Sequence, residues 1–301
     1  MSTQIRKVFE LFPKLGPQLK KGECGRIAVV GGALEYTGAP YFASLAPMKI
    51  GADLSYLFAP EQAAQVIKTY SPELIVFPEQ SFEKVKAVID RIDGLVIGPG
   101  LGREKERLVP LIKSLLKCSK ERDELGVVID ADGLFLVADC LDELQGCKRV
   151  ILTPNYREFL RLYETVFPDK KLEGEATEEH VKELASRLGV NILRKSEKDI
   201  ITDGNKVEIG EMHGTDRRCG GQGDLLSGAI ALFMYWSKLK DKSKTLETTH
   251  ILNGARCASD FIRFTSAYTF DKIGRSMNAA DILENIRYVV QEYDKPLQSN
   301  I

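Results

Sequence analysis

The sequence predicts an α/β protein whose mostly parallel central sheet is covered by helices on both faces. Short runs rich in Val, Ile and Leu alternate with helical patterns of roughly 10–15 residues, as in successive strand–helix–strand units. These runs are apolar at almost every position, which is typical of strands buried on both faces. The 301 residues are 44% hydrophobic and 28% charged, so the composition is that of a globular protein.

Strands and helices alternate regularly through the first half of the chain. Strands are predicted at Arg26–Val30, Leu54–Phe58, Leu74–Phe77, Leu95–Gly98, Val127–Asp130 and Val150–Leu152. Helices are predicted at Pro40–Ile50, Glu61–Thr69, Phe82–Asp90, Glu104–Cys118, Leu134–Ala138 and Tyr156–Tyr163. Because a helical crossover joins strands that run in the same direction, this alternation predicts a parallel sheet.

The pattern changes near residue 190. Three closely spaced strands, predicted to be antiparallel and to form an edge, are Asn191–Lys195, Asp199–Thr202 and Lys206–Gly210. Three helices follow at Asp224–Ser237, Lys244–Phe264 and Ala279–Tyr293. The polar stretch Asp169–His180 is the one candidate break, and we interpret it as a surface loop that leads into a helix. We therefore predict a single domain over residues 1–301, with residues 1–21 as an N-terminal extension.

Charge and cysteine content exclude several classes of function. Lys and Arg number 42 against 43 Asp and Glu, so no chain-wide basic field exists for nucleic acid or an anionic membrane. The six cysteines and three histidines are scattered without a C-x-x-C pair, which argues against zinc and fits a reducing compartment. The N-terminus lacks an apolar signal core. We expect a cytoplasmic protein with small-molecule partners, and leave open whether it forms a homo-oligomer.

Three glycine clusters lie where a strand or loop ends and a helix begins, at Gly31–Pro40, Gly98–Arg103 and Cys219–Asp224. Each could serve only a tight turn, but three together favour a ligand crevice at the carboxyl ends of the strands. The G-x-G-x-x-G dinucleotide fingerprint and the P-loop are absent. The protein-kinase catalytic loop and the G-x-S-x-G nucleophile elbow are absent too.

The segment Gly220–Gly228 carries the most specific chemistry. Its glycine N–H groups stand at a helix start, where they can stabilise a phosphoryl group during transfer. Asp224 follows one residue later, where it could take the proton from an attacking hydroxyl. The alternative is that Asp224 is only a first-turn acid that interacts favourably with the helix dipole.

At this segment a resemblance becomes visible. GGQGDLLSG resembles the glycine–aspartate motif of the ribokinase-like superfamily, and six blocks in order resemble its NAD(P)H-hydrate dehydratase family. The blocks are GGALEYTGAP, SPELIVFP, GPGLGR, IDADGL, LTPNYREF and GGQGDLLSG, and GTDRRCGGQG is similar to the ATP-using eukaryotic branch. The resemblance implies a ribokinase-like three-layer α/β/α fold. It also implies ATP- and Mg²⁺-dependent dehydration of NADH and NADPH hydrates, by phosphorylation of the ring hydroxyl and elimination of phosphate.

The resemblance also implies residue roles. Asp224 would be the catalytic base, and Gly221, Gln222 and Gly223 would form the oxyanion cradle. Two segments would bind ATP: the first is Lys195, Ser196, Glu197, Lys198 and Asp199, where Ser196 replaces the family's glycine. The second is Gly214, Thr215, Asp216, Arg217, Arg218, Cys219 and Gly220, together with the cradle residues.

Substrate contacts are implied at a third place. They are Gly102, Asp224 and the run Asn155, Tyr156, Arg157, Glu158, Phe159, Leu160 and Arg161. Glu158 would order Mg²⁺ through water, and an Asn155–Glu158 capping box is compatible with that role. Asp130 and Asp132 either contact substrate or serve the turn after their strand.

Two other functions share the glycine–aspartate motif. One is a ribokinase-like small-molecule kinase that releases a phosphorylated product, and the other is a non-enzymatic nucleotide-binding protein. GPGLGR and LTPNYREF favour the dehydratase family over the kinase, and an intact Asp224 with its glycines argues against a loss of catalysis.

Overall fold

One nine-stranded sheet forms the centre of the computed structural model, which describes residues 3–172 and 174–298, with side chains from residue 5 to residue 294. The strands are β1 (Arg26–Val30), β2 (Leu54–Phe58), β3 (Ile75–Phe77), β4 (Gly94–Ile97), β5 (Gly126–Ile129), β6 (Val150–Leu152), β7 (Asn191–Arg194), β8 (Ile200–Thr202) and β9 (Val207–Ile209). They lie in the order β3-β2-β1-β4-β5-β6-β7-β8-β9. The order reverses direction at the β1–β4 pair, where ligand crevices form in open α/β sheets.

The sheet is parallel from β3 to β7, and β8 and β9 add antiparallel edge strands. The predicted antiparallel pairing of the three strands is confirmed, because β7 pairs antiparallel with β8 and β8 with β9. β7 is not itself at the edge, since it also pairs in parallel with β6 and is buried at all four positions. The crossover between these two strands includes the helix Glu178–Leu188, to which the sequence analysis assigned no bounds. That crossover returns the chain to the amino end of the sheet, so β7 runs in the direction of β6.

Helices cover both faces of the sheet. They are α1 (Thr3–Phe9), α2 (Gly38–Ile50), α3 (Glu61–Ile67), α4 (Phe82–Ile89), α5 (Lys105–Lys120), α6 (Asp132–Val137), α7 (Leu141–Leu144), α8 (Tyr156–Val166), α9 (Glu178–Leu188), α10 (Gln222–Lys240), α11 (Thr248–Ile273) and α12 (Ala279–Gln298). One core lies between the sheet and α1, α2, α3, α10, α11 and α12, and the other lies under α4 to α9. The predicted α/β class with three layers is confirmed.

Helix α10 is the central helix of its layer. Most of its residues from Leu225 onwards are buried, and it packs on α2, on α11 and on strands β1, β4 and β5. A helix that is apolar all round belongs inside a protein rather than at its surface. Its buried position fixes the start of α10, and therefore Asp224, relative to the carboxyl ends of the central strands.

Close backbone approach brings the ends of β4 and β5 together. Gly98 follows β4 with a φ of +126°, and a Cβ atom there would lie 1.8 Å from the backbone oxygen of Asp130. Only glycine fits such a contact and such a φ.

Among the described helices, none combines the length and the hydropathy needed to cross a bilayer.

Candidate active site

Asp224 lies in the first turn of α10, directly after a glycine turn. Gly221 is left-handed with a φ of +95°, and a Cβ atom there would lie 2.6 Å from that of Ala279 at the start of α12. The Gln222 side chain donates to the backbone oxygen of Arg217 at 3.3 Å, which ties the helix start to the preceding loop. The turn is therefore held from both sides, and backbone N–H groups at a helix start can bind an anion.

A buried ion pair lies behind this glycine turn. Asp130 follows β5 and is 2% exposed, and its Oδ1 accepts hydrogen bonds from Lys195 Nζ and Thr153 Oγ1, each at 2.8 Å. Lys195 follows β7 and Thr153 follows β6, so three neighbouring parallel strands supply the cluster. Lys195 Nζ lies 3.5 Å from the position that a Cβ atom on Gly223 would take. The Lys195 ammonium thus faces the glycine turn.

The electrostatics of Asp224 suit a base. Burial, the largest effect, and the neighbouring Asp130 carboxylate raise the pKa of Asp224 to about 7, while Lys195 opposes the rise. Burial also lowers the pKa of Lys195, but Asp130 and Glu158 outweigh that effect, so the ammonium stays protonated with a raised pKa. Within the described residues, no donor hydrogen-bonds to the Asp224 carboxylate. A half-buried carboxyl group that titrates near neutral pH is well matched to taking a proton from a hydroxyl.

The segment from Lys195 to Asp199 is a turn anchored to α11. Asp199 is 2% exposed, and its two oxygens accept from the Arg263 guanidinium at 2.6 and 3.2 Å, from Ser259 Oγ at 2.7 Å and from the Ser196 backbone at 2.9 Å. Its carboxylate is thus fully used inside the protein and orders the turn. Ser196 has no positive φ, so a serine fits where the family has glycine.

Arg263, on α11, holds this turn in place and was not predicted from the sequence. Its guanidinium also donates to the backbone oxygens of Ser196 and Glu197, at 2.6 and 2.9 Å. It lies 64 residues beyond Asp199 on α11, and no local motif marks it. A buried acid beside a strand turn requires a cationic partner, but the sequence does not say which arginine supplies it.

The second segment predicted to bind ATP is the loop between β9 and α10. Arg217 is half-buried, with its backbone N–H on Thr215 Oγ1 at 3.1 Å and its guanidinium on the Arg218 backbone oxygen at 3.2 Å. The Arg217 Nε atom is buried without a partner among the described residues. Asp216, Arg218 and Gly220 are exposed, and burial raises the pKa of the half-buried Cys219 thiol. Arg217 therefore has one guanidinium donor that the described residues leave unused, which calls for an explanation in a buried polar group.

A cleft of about 280 Å³ opens beside the cluster. Its lining residues are Arg103, Ala131, Asp132, Asn155, Arg157, Glu158 and Arg161. Four of the seven residues predicted from Asn155 to Arg161 therefore face it, whereas Tyr156, Leu160 and the fully buried Phe159 do not line it. Helical geometry explains the split, because Arg157, Glu158 and Arg161 share one face of α8 and Phe159 points to the core.

An aromatic ring, that of Phe135, lies against two of the arginines that line the cleft. The guanidinium groups of Arg103 and Arg161 lie 4.8 and 5.0 Å from the centre of the Phe135 ring, and Lys105 Nζ lies 5.1 Å from it. Asp132 balances part of this charge, since it accepts from the Gly102 backbone at 3.1 Å and pairs with Arg103 at 3.2 Å. Gly102 does not line the cleft itself but donates a hydrogen bond to Asp132, which does. Phe135 was not predicted from the sequence.

Glu158 and Asn155 form the predicted capping box at the start of α8. Burial, partly offset by Lys195, raises the pKa of Glu158. The described residues contain no cluster of three or more His, Cys, Asp or Glu side chains that could hold a metal ion. Asp132 and Glu158 are the carboxylates that line the cleft, and Mg²⁺ that keeps several of its waters needs only one or two carboxylates.

Comparison with known proteins assigns the family. A family model described as NAD(P)H-hydrate dehydratase matches residues 27–287. The chain is 40% identical over 291 residues to the ATP-dependent (S)-NAD(P)H-hydrate dehydratase of Homo sapiens, covering 95% of this chain and 83% of the human one. The chain belongs to the NAD(P)H-hydrate dehydratase family. The resemblance stated from sequence motifs is thereby confirmed.

Solved structures agree on the fold of this dehydratase-family chain. A ribokinase-like superfamily protein from Enterococcus faecalis superposes with a TM-score of 0.76 at 20% identity, covering 96% of this chain and 94% of that one. A Bacillus subtilis ADP/ATP-dependent NAD(P)H-hydrate dehydratase, co-crystallised with ATP and Mg²⁺, gives 0.71 at 19% identity over 96% and 97% of the two chains. The ribokinase-like fold is confirmed, and the family match spans Gly102, Glu158, Lys195 and Asp224.

Proposed function

We propose that the chain is an ATP-dependent enzyme that restores NADH and NADPH from their S-hydrates. Hydration leaves a hydroxyl group on the nicotinamide ring carbon beside the nitrogen. The enzyme transfers the γ-phosphoryl group of ATP to that hydroxyl oxygen, which turns a poor leaving group into a good one. The ring nitrogen then expels phosphate as the neighbouring carbon loses a proton. ATP and hydrate give ADP, phosphate and the reduced dinucleotide.

The observation that carries the proposal is the Asp224 carboxylate at the glycine turn. The group is half-buried, its pKa is raised to about 7, and it is free of protein hydrogen bonds among the described residues. In this mechanism Asp224 accepts the hydroxyl proton as the oxygen attacks phosphorus. The backbone N–H groups at Gly221, Gln222 and Gly223 stabilise the negative charge on the transferred group.

The nucleotide side of the site is assigned to the two predicted ATP segments. Lys195 supplies a positive charge behind the glycine turn, and Arg217 supplies a guanidinium nitrogen in the loop before it. Asp199 contributes by ordering the 195–199 turn through Arg263, rather than by touching the nucleotide. Mg²⁺ bound with ATP would neutralise phosphate charge, and Glu158 could hold one of its waters.

The cleft beside α8 is assigned to the dinucleotide. Three arginines face a space of about 280 Å³, and one guanidinium group can donate two parallel hydrogen bonds to the oxygens of a phosphate. Arg103, Arg157 and Arg161 would therefore hold a phosphate of the substrate, while Asp132 and Asn155 offer polar contacts to its sugar or amide. The nicotinamide end would then extend towards Asp224, which interacts electrostatically with Asp132 and Glu158 of the cleft.

The direct test is recovery of the reduced-nicotinamide absorbance from purified NADH hydrate in the presence of ATP and Mg²⁺. We expect recovery with ATP, with one ADP and one phosphate formed for each dinucleotide restored. A small-molecule kinase would instead accumulate a phosphorylated product without recovery of absorbance. A nucleotide-binding protein would bind ATP and release neither product.

The proposal also includes a cytoplasmic location and small-molecule partners. The six free cysteines are in line with a reducing compartment.

A further inference from the structure

Asp130 has no role in the proton transfer described above. It is nevertheless more deeply buried than its partner Lys195, and it lies beside the glycine turn. Its Oδ1 takes both hydrogen bonds, from Lys195 and Thr153, and its Oδ2 lies 3.9 Å from the position of a Cβ atom on Gly223. Its backbone is fixed as well, because Asp130 N–H donates to Ile97 at 3.0 Å and its carbonyl accepts from Gly133 at 2.9 Å. A buried charge held this firmly costs free energy, so it calls for a function.

We propose that Asp130 is a positioning residue for phosphoryl transfer: it holds the Lys195 ammonium against the glycine turn and keeps a second negative charge beside Asp224. This inference rests on the proposed function, since it gives Asp130 a part in that same reaction. It assigns Asp130 no contact with substrate. The residue acts through its two charged neighbours.

The first effect concerns the place of the ammonium group. Lysine has a long flexible side chain, and a single free ammonium near several carboxylates can pair with any of them. Asp130, Glu158 and Asp224 all attract Lys195, and Asp130 is the partner at hydrogen-bonding distance. By holding the ammonium at the back of the turn, Asp130 keeps it from pairing with Asp224. The base stays free and the positive charge stays where phosphate oxygens arrive.

The second effect concerns the charge on the base. The groups that face Asp224 are the carboxylates of Asp130, Asp132 and Glu158 and the ammonium of Lys195. Like charges favour the protonated carboxyl group and the ammonium favours the carboxylate. Asp130 and Lys195 therefore act on Asp224 in opposite directions, although they form one ion pair. This opposition distinguishes a positioning role from a purely structural one.

The experiment compares two single variants of the whole chain. Asp130→Asn keeps an oxygen that can accept from Lys195 and Thr153 but removes the charge, and Lys195→Gln removes the ammonium. The carbon-13 signal of the Asp224 carboxyl group, assigned by its loss in Asp224→Asn, is followed against pH in each protein. We expect its titration midpoint to fall by about one pH unit in Asp130→Asn and to rise in Lys195→Gln.

The acid limb of the pH profile of kcat/KM for the hydrate should move in the same two directions. At the alkaline plateau kcat of Asp130→Asn should fall at least about tenfold. The ammonium, held only by a neutral amide, can then pair with Asp224, and the base is weaker. The matched control is Asp93→Asn. Asp93 is a half-buried carboxyl group away from the site: it accepts from the Arg26 backbone next to the amino end of β4, and burial raises its pKa to about 6. Its variant should leave both midpoints unchanged.

Midpoints that stay at the wild-type value in Asp130→Asn and Lys195→Gln, or that move in the same direction in both, would overturn the inference. A shift of equal size in Asp93→Asn would also overturn it. The carboxyl titration does not need turnover, so it remains decisive if the wild-type protein fails to restore NADH. In that case the proposed reaction would be wrong while opposite shifts would still establish the charge relationship.

Discussion

Asn155 and Glu158 hold each other across the first turn of α8: Asn155 Oδ1 accepts the Glu158 N–H at 3.0 Å, and Glu158 Oε2 accepts the Asn155 N–H at 2.8 Å. The same carboxylate lines the cleft next to Arg157 and Arg161. One of its oxygens thus caps the helix, and the other is available for a ligand or a metal-bound water. Capping and function therefore coexist in one side chain.

Glu158→Gln separates these two roles. The amide oxygen can still accept the Asn155 N–H, so the melting temperature should change little. The charge that orders a metal-bound water is lost, so kcat/KM should fall at least tenfold, about 1.4 kcal/mol in barrier. Glu158→Ala loses both roles and should lose activity to a similar degree and also about 1 kcal/mol of stability. Full activity in the glutamine variant would show that Glu158 serves only as a helix cap. A fall in melting temperature that matches the fall in activity would show the same.

Nucleotide choice tests the assignment to the ATP-using branch. We expect ATP to support dehydration much better than ADP at matched saturation, because GTDRRCGGQG is similar to the ATP-using branch of the family. Chelation of Mg²⁺ should abolish the reaction, because the phosphate charge is then no longer neutralised. Added Mg²⁺ should restore it. Equal rates with both nucleotides would contradict the branch assignment and leave the family assignment in place.

The two arginines themselves should differ. Arg217 has a buried Nε without a partner among the described residues, whereas Arg218 is exposed. Arg217→Gln should raise the KM for ATP by about tenfold, roughly the 1.4 kcal/mol of a charge-assisted hydrogen bond. Arg218→Gln is the matched control and should change the same KM much less. Equal effects in a steady-state titration of ATP would show that burial does not distinguish the pair.

The raised pKa of Asp224 has a consequence for stability. Its value of about 7 in the folded protein lies above the ordinary value of 3.8, so the folded state binds the proton more tightly. The carboxyl group therefore costs stability progressively as pH rises from about 4 to about 7, and the full cost applies above that range. Asp224→Asn does not titrate. Its melting temperature relative to wild type should thus be higher at about pH 8 than at about pH 5, and a difference that is constant with pH would contradict the raised pKa.

Local sequence patterns predicted most of the fold. β1 and β2 have the predicted bounds because both are short, largely apolar runs. The helix predicted at Lys244 begins at Thr248 instead, because the Glu247 N–H donates to His250 Nδ1 and caps it there. α9 received no bounds because the polar segment before it hides its start. These differences concern the ends of elements, where a single side-chain contact decides.

The site was predictable only where its residues are close in sequence. The Asn155–Glu158 box and the glycine turn before Asp224 are local, and the sequence pointed to both. Asp130 and Lys195 are 65 residues apart and meet only because β5, β6 and β7 are neighbours. Pairing at that distance depends on strand order, which residue spacing does not contain.

The central claim is that Asp224 takes the hydroxyl proton during phosphoryl transfer, and single-turnover kinetics of Asp224→Asn test it most directly. The amide cannot accept the proton, so the single-turnover rate constant, and kcat with it, should fall by about 10²–10⁴-fold. ATP affinity should stay near wild type, because the glycine turn, Lys195 and Arg217 remain. Phosphate release and recovery of the dinucleotide should fall together, since both follow one transfer. An Asp224→Asn protein that binds ATP and restores NADH at close to the wild-type rate would contradict this account.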